Sequence, residues 1–426
     1  MDEAEEELAA IFVGIDWGSE THQVCVLDKK RRVLLEAGFE HSGRALDELV
    51  GALLRLSDDD PERLAVAIEV PRGAIVETLL ERGIAVFSIN PKQLDRFRDR
   101  HTASGAKDDR RDALVLADSL RTDRPAFRRA RLGDPALVEL RELTRMQDEL
   151  KAERIMLGNR LREQLHRYFS QLLELDSVYD SPWLWELLEM APTPEQARKL
   201  SLGKLRSLLK RNRIRSSVTA QQVYDALAAP ALHVAPGVAE AAGRRVVLLI
   251  PRLRLVHEQK RQVERDIEHT LEAFAASAEG KAEHRDARLL QSLPGLGKLV
   301  CATMLAEAWE PLQRRDYRSL RTLSGIAPVT KRSGKQLSVA MRSGCNRRLR
   351  TAVHYWTDNA VKRDAHWKAR YARSRAAGHS HARALRGVGD RLLATLVAIL
   401  KSQTAYEPAR HLQGLPDPVA IATLQG

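Results

Sequence analysis

Cysteine is nearly missing from this chain, and its three copies (Cys25, Cys301, Cys345) stand far apart. So few thiols exclude a disulfide framework, and their scatter excludes a cysteine-based metal site, because neither pairing nor short ligand spacing is present. A reducing compartment is the expectation. A leader is missing too: the chain opens Met1-Asp-Glu-Ala-Glu-Glu-Glu, where a secretory segment would be basic, then apolar, then small. No apolar run reaches membrane-spanning length. A cytoplasmic protein with no membrane partner follows from these absences. Acid is not in excess either, since 69 Lys+Arg face 57 Asp+Glu for a formal charge of +12 and a pI near 9.7. That balance suits a polyanionic partner, because neutralising phosphates releases counterions and supplies affinity independent of sequence. At 426 residues the chain is too long for one ordinary core, so two or three domains are expected.

What is present is organised around Ile11-Phe-Val-Gly-Ile-Asp16-Trp-Gly-Ser-Glu-Thr-His-Gln-Val-Cys-Val-Leu27. An apolar run with β-branched members stops at an acid and a glycine, and a second run begins at Gln23. This predicts a hairpin with Asp16 ending its first strand. Arg32 to Phe39 reads as a third strand and Ala45 to Leu56 as a helix, before Asp-Asp-Asp-Pro61 forces a turn. Leu64-Ala-Val-Ala-Ile-Glu69-Val70 has the composition of a strand buried on both faces, and it too delivers an acid near its end. A helix over Gly73 to Arg82, a strand over Ala85 to Ile89 and a helix opened by Asn90-Pro91 follow. Three strands, helix, strand, helix, strand, helix is a ribonuclease H-like order.

A third acidic element, Lys107-Asp108-Asp109-Arg110-Arg111-Asp112-Ala113, leads into a helical apolar pattern. Asp109/Asp112 and Asp108/Asp112 both have spacings that share one helix face, so spacing alone leaves the pair open. Asp16, Glu69 and such a pair, if brought to one cleft, would present four hard carboxylate ligands. Such a set suits two Mg²⁺ ions, with Mn²⁺ as the alternative, at a phosphodiester.

Gly14-Ile-Asp16, Ile68-Glu69, Asn90-Pro91 and Lys107-x-Asp109-x-x-Asp112-Ala113 together resemble the DEDD, RuvC-like domain of the insertion-sequence 110 family of transposases, relatives of the Piv invertases. The resemblance implies a tetrad of Asp16, Glu69, Asp109 and Asp112, leaving Asp108 as a neighbour where the family has an uncharged residue.

From Leu137 to Leu173 apolar residues recur at threes and fours without proline, as in a long amphipathic helix or coiled-coil arm. Prolines near Trp183 and Thr193 restart the chain. Shorter helices with a basic cluster (Lys204, Arg206, Lys210, Arg211, Arg213, Arg215) follow, and Val246 to Phe274 reads as a second long helix antiparallel to the first. Leu293-Pro294-Gly295-Leu296-Gly297-Lys298 then has the form of a helix-hairpin-helix turn, in which Gly295, Gly297 and Lys298 would meet a phosphate backbone without reading bases.

Gly325-Ile-Ala-Pro328, Lys331-Arg332-Ser333-Gly334-Lys335 and Asn346-Arg-Arg-Leu-Arg350 resemble the carboxy-terminal transposase domain of the same family. Its nucleophilic serine maps to Ser333, flanked by the cations Lys331, Arg332 and Lys335, which suit attack on an anionic phosphate. The expected architecture is therefore α/β plus all-α: a RuvC-like domain over 1–130, a helical linker over 131–283, a carboxy-terminal transposase domain over 284–410 and a tail over 411–426. The resemblance further implies donor and target DNA as substrates, a non-coding bridge RNA as guide, a homodimer or dimer of dimers, and a bacterial setting at the nucleoid. Two other classes compete. A Holliday-junction-type endonuclease would use water in place of serine. An actin-like kinase shares the early strand order but needs a second Asp-Gly phosphate hairpin and a Gly-Gly adenosine motif, and the sequence has neither.

Overall fold

The structure is a computed structural model that describes residues 9–89, 91–101, 108–131, 133–175, 181–214, 218–276, 282–333 and 336–408. Asn90, Lys107, Arg215, Gly334, Lys335 and the 411–426 tail lie outside the described residues. Two compact units divide the chain, Met1–Gly133 and Asp134–Gly426.

The first unit is a six-stranded sheet with helices on both faces, in the order β3-β2-β1-β4-β5-β6. Its strands are β1 (Ile11–Asp16), β2 (Thr21–Asp28), β3 (Val33–Glu40), β4 (Leu64–Ile68), β5 (Ala85–Ser88) and the two-residue β6 (Arg128–Arg129). β1 pairs antiparallel with β2 and parallel with β4, which makes it central and explains its unbroken apolar run. Alternation then divides its side chains. Ile11, Val13 and Ile15 join Val24, Val66 and Ile68 in one core beneath helices α1 (Gly43–Leu56) and α2 (Ala74–Glu81). Phe12, Ala65 and Ala67 face the other way, onto α3 (Pro91–His101) and α4 (Asp109–Thr122).

Strand order and helix order agree with a ribonuclease H-like reading, with one addition. β6, too short to leave a pattern, pairs antiparallel with β5 through Phe87 and Ser88. β4 also ends at Ile68, so Glu69 stands just beyond its strand.

Among its described residues the second unit is helical apart from one hairpin. α5 (Pro135–Tyr168) and α10 (Val238–Ala276) lie antiparallel: Leu137 and Leu140 meet Ile267 and Leu271, while Leu161 and Leu165 share a core with Val246 and Ile250. α10 begins eight residues ahead of the apolar pattern and carries Pro251 inside it. Between them α6 (Pro182–Met190), α7 (Pro194–Arg198), α8 (Leu202–Arg211) and α9 (Ala220–Ala228) close one core around Trp183, Trp185 and Leu208.

The carboxy-terminal elements are α11 (Ala282–Gln291), α12 (Lys298–Gln313), α13 (Tyr317–Leu323), the hairpin β7 (Val329–Ser333) and β8 (Gln336–Ala340), α14 (Arg347–Arg363), α15 (Ala365–Ala376) and α16 (His381–Ser402). Their core is centred on Trp356, Trp367 and Leu392. Among the described residues no helix is long and apolar enough to cross a membrane.

Candidate functional site

Gly14 sets the geometry of the first unit. A Cβ there would lie 1.9 Å from the Ala113 carbonyl oxygen and 2.5 Å from the Ala117 amide nitrogen, so only glycine lets the α4 backbone rest directly on β1. The far end of α4 is tied to the opposite end of the sheet, where Arg31 reaches Asp118 at 3.1 Å and Arg121 donates to the Lys29 carbonyl at 3.3 Å. α4 therefore runs against β1, and its first turn, with Asp109 and Asp112, stands at the carboxyl end of the strand. Asp16 is the last residue of β1, opposite Gln23 and one step past the Ile15–Ile68 pair, so its neighbour in the parallel register is Glu69. By backbone position, Asp16, Glu69 and the first turn of α4 therefore lie toward the carboxyl end of β1 and β4.

Their side chains are in different states. Asp108 caps α4, its carboxylate accepting from the Arg110 amide at 3.2 Å, a role that suits an aspartate preceding a helix. Asp109 is exposed, and Asp16 and Glu69 are half-buried. Asp112 is only 3% exposed, and Arg98 of α3 holds both of its oxygens, Nε donating to Oδ1 at 2.7 Å and Nη2 to Oδ2 at 2.8 Å. Arg98 also donates from Nη1 to Asp95 at 2.7 Å. Burial pulls the Arg98 guanidinium down, but its bonds to Asp112 and Asp95 outweigh this and leave its pKa above the usual arginine value. The donor chemistry of Asp16, Glu69, Asp109 and Asp112 fits a hard divalent ion. In this arrangement the guanidinium is the cation on Asp112, and among the described residues no three acid, histidine or cysteine side chains are grouped to hold an ion.

In the second unit, the Pro294–Lys298 turn is packed onto α14. Gly295 has φ +75°, and a Cβ on it would fall 2.5 Å from the Ala360 nitrogen, while Trp356 donates from Nε1 to the Pro294 carbonyl at 3.0 Å. Gly295 thus serves a close approach of chain to chain, whereas Gly297, which caps α12 without a side-chain bond, faces open space. Lys298 is engaged by Glu272 at 2.8 Å and Glu268 at 3.0 Å, which hold its pKa up, so any phosphate has to compete with two carboxylates.

Ser333 ends β7, pairing with Gln336 of β8, and Lys331 and exposed Arg332 precede it on the strand. For Lys331 and Ser333 only the backbone positions are described. The hairpin feeds α14, whose cap Asn346 accepts from the Leu349 amide at 3.0 Å and donates from Nδ2 to Glu307 at 2.6 Å. Glu307, with a side chain 6% exposed, also faces Arg348 at 3.0 Å and Arg145 at 3.6 Å. Sequence reasoning missed both Arg98 and Glu307, because neither sits in a local pattern that announces its partner.

Residues 13–170 match a DEDD family model described as transposase, and residues 287–372 match one described as transposase, IS116/IS110/IS902 family. A protein of Streptomyces coelicolor named "Mini-circle putative transposase for IS117" is 32% identical over 412 residues, which is 95% of this chain and 97% of that one. A Sinorhizobium fredii protein named "Putative transposase y4uE" is 46% identical over 235 residues, covering 55% of this chain and 63% of its own length, under two thirds of it. An insertion element IS110 protein of S. coelicolor, of 43.6 kDa and named uncharacterized, is 28% identical over 94% of this chain.

Proposed function

The chain belongs to the IS116/IS110/IS902 family of transposases, and from that premise we propose that it cuts and rejoins DNA strands with an acidic metal site in its first unit and a serine nucleophile in its second. The observation that carries the first half is the Gly14 seat, which brings the Asp109–Asp112 turn of α4 to the edge where β1 and β4 deliver Asp16 and Glu69. Asp16, Glu69, Asp109 and Asp112 would hold Mg²⁺, and Mn²⁺ would serve in its place. Bound there, the ion supplies charge that polarises a phosphodiester and steadies a departing oxygen. Arg98 must let go of at least one Asp112 oxygen for that acid to serve as a ligand.

Ser333 carries the second half. Its Oγ bonds to phosphorus as the bond from phosphorus to the departing deoxyribose oxygen breaks, and that oxygen leaves with a proton. The phosphoserine keeps the bond energy, so a hydroxyl of a second strand can attack phosphorus and release the serine without an external energy source. Arg332, exposed beside it, supports the approach of an anion. A bridge RNA that pairs with donor and target DNA would leave sequence choice to base pairing and backbone contact to the protein.

Assembly as a dimer, or a dimer of dimers, is supported by apolar side chains left in water on the long helices: Ile155 and Met156 on α5, Leu248 and Leu255 on α10. The test is to purify the protein from its native locus, sequence any small RNA that accompanies it, and offer matching DNA with Mg²⁺. A discrete RNA, with recombined product lost on Asp16→Ala or Ser333→Ala, supports the guided recombinase. Cleavage that survives Ser333→Ala makes water the nucleophile.

A further inference from the structure

The helical hairpin of α15 and α16 concentrates charge of one sign. Between Ala365 and Arg391 the sequence holds seven Lys and Arg but a single acid, Asp390, so these 27 residues carry +6 of the chain's formal +12. Helix α5, by contrast, has seven cations and six acids in its 34 residues, which is the composition of a self-neutralising solvated face. Asp390, the one acid counted against them, is engaged outside the segment: its two oxygens accept from Arg321 at 2.6 and 3.0 Å, and it also accepts from the Tyr317 hydroxyl at 2.9 Å.

The cations stand on a fixed scaffold. Trp367 and Tyr371 anchor α15, and Leu385, Val388 and Leu392 anchor α16. The connection turns at Gly378, φ +80°, where Arg375 donates to the His379 carbonyl at 2.8 Å and Ser374 meets His379 Nδ1 at 3.0 Å. Across the pair, Tyr371 Oη lies 2.8 Å from His381 Nδ1. Arg370 is half-buried, has neither hydrogen bond nor ion pair among the described residues, and faces Arg391 and Arg373; burial first, then those like charges, lower its pKa. A cluster of like charges whose one acid is engaged by Arg321 is arranged for an external anion.

We propose that α15–α16 is a docking surface for the sugar-phosphate backbone of duplex DNA. The choice of a duplex follows from what the surface lacks. Single strands are gripped by exposed aromatic rings on which bases stack, but Trp367 is buried and Tyr371 is packed on the core and tied to His381. Guanidinium groups on a fixed helical scaffold read phosphates and no sequence. The surface supplies grip rather than chemistry, rests on the reading of this chain as a DNA-cutting enzyme, and lies partly beyond the matched family segment, which stops at residue 372.

The experiment measures binding of the full chain to a duplex of arbitrary sequence by fluorescence anisotropy over a range of salt, for the wild type and for Arg370→Gln/Arg373→Gln/Arg391→Gln. Each lost phosphate contact removes about 0.9 from the slope of log affinity against log salt, so the slope should fall by about 2.7. Because Arg370 is half-buried, Arg373→Gln/Arg383→Gln/Arg391→Gln, all on exposed positions, is measured beside it and should give a similar fall. An unchanged slope in both variants, or a loss confined to single-stranded RNA, overturns the proposal. A wild-type chain that does not bind duplex at any salt would instead sink the DNA-cutting reading itself.

Discussion

Replacing Arg98 by alanine should destabilise the first unit and, at the same time, make that unit more responsive to divalent ions. The carboxylate of Asp112 is 5% exposed, and both of its oxygens accept from one guanidinium at 2.7 and 2.8 Å. Removing one partner of a buried pair leaves an uncompensated charge and costs about 3–5 kcal/mol. Arg98 keeps 30% of its side chain in water, which screens its side of the pair, so about 2–3 kcal/mol is the better figure. For a unit of this size that lowers its melting temperature by about 6–12 °C. If Asp112 is a metal ligand, Mg²⁺ fills the place Arg98 has left, and an ion at about 100 times its dissociation constant returns about 2.7 kcal/mol. Calorimetry of the full chain, with and without Mg²⁺, checks both parts: Arg98→Ala should melt lower in chelator and gain more from Mg²⁺ than the wild type does. Asp112→Asn should abolish the extra gain. A variant that melts like the wild type, or one whose Mg²⁺ gain is no larger, refutes the idea that Arg98 and the ion share Asp112.

Gly14→Ala should cost about 3 kcal/mol or more and abolish DNA cutting without touching an acid, because the added carbon must push the α4 backbone off β1; melting and cleavage assays read both effects. Burial pushes the Cys25 thiol up to about 11 and the Cys301 thiol up to about 12, and the thiolate is the reactive form. A thiol reagent at mild pH should therefore count one group on the native chain, half-buried Cys345, and all three after denaturation. The sign for stability follows: unfolding lets those two thiols ionise once pH exceeds about 8.5, so stability falls as pH climbs past that value, and a flat profile there contradicts the assignment. Leu248→Glu/Leu255→Glu should lower the mass seen by light scattering if those side chains cover each other between subunits, and an unchanged mass removes that interface.

The sheet was legible because its signals are local. A strand flanked on both sides reads as an apolar run, as Ile11 to Ile15 does, and the turn residues between runs mark where each element stops. β6 was invisible because two arginines carry no period. The long helices were legible by their spacing, but α10 starts at Val238 and passes through Pro251, since packing against α5 holds a helix that local preference would break. At the candidate site, the acids stood out because each ends or opens an element, although the choice of Asp109 over Asp108 rested on the family resemblance and not on spacing. Their partners were not: Arg98 and Asp112 are 14 positions apart and meet only because α3 and α4 pack, and Lys298 meets Glu268 and Glu272 only because α12 starts beside α10. Charges that choose partners across space leave no spacing to read.

The most direct test is to incubate the chain with its DNA and Mg²⁺, denature it, and look by mass spectrometry for nucleotide attached to the peptide that carries Ser333. Wild-type protein should yield that adduct, and both Ser333→Ala and Asp16→Ala should yield none. Strand cleavage with no adduct in the wild type, or an adduct that persists in Ser333→Ala, would contradict the serine mechanism.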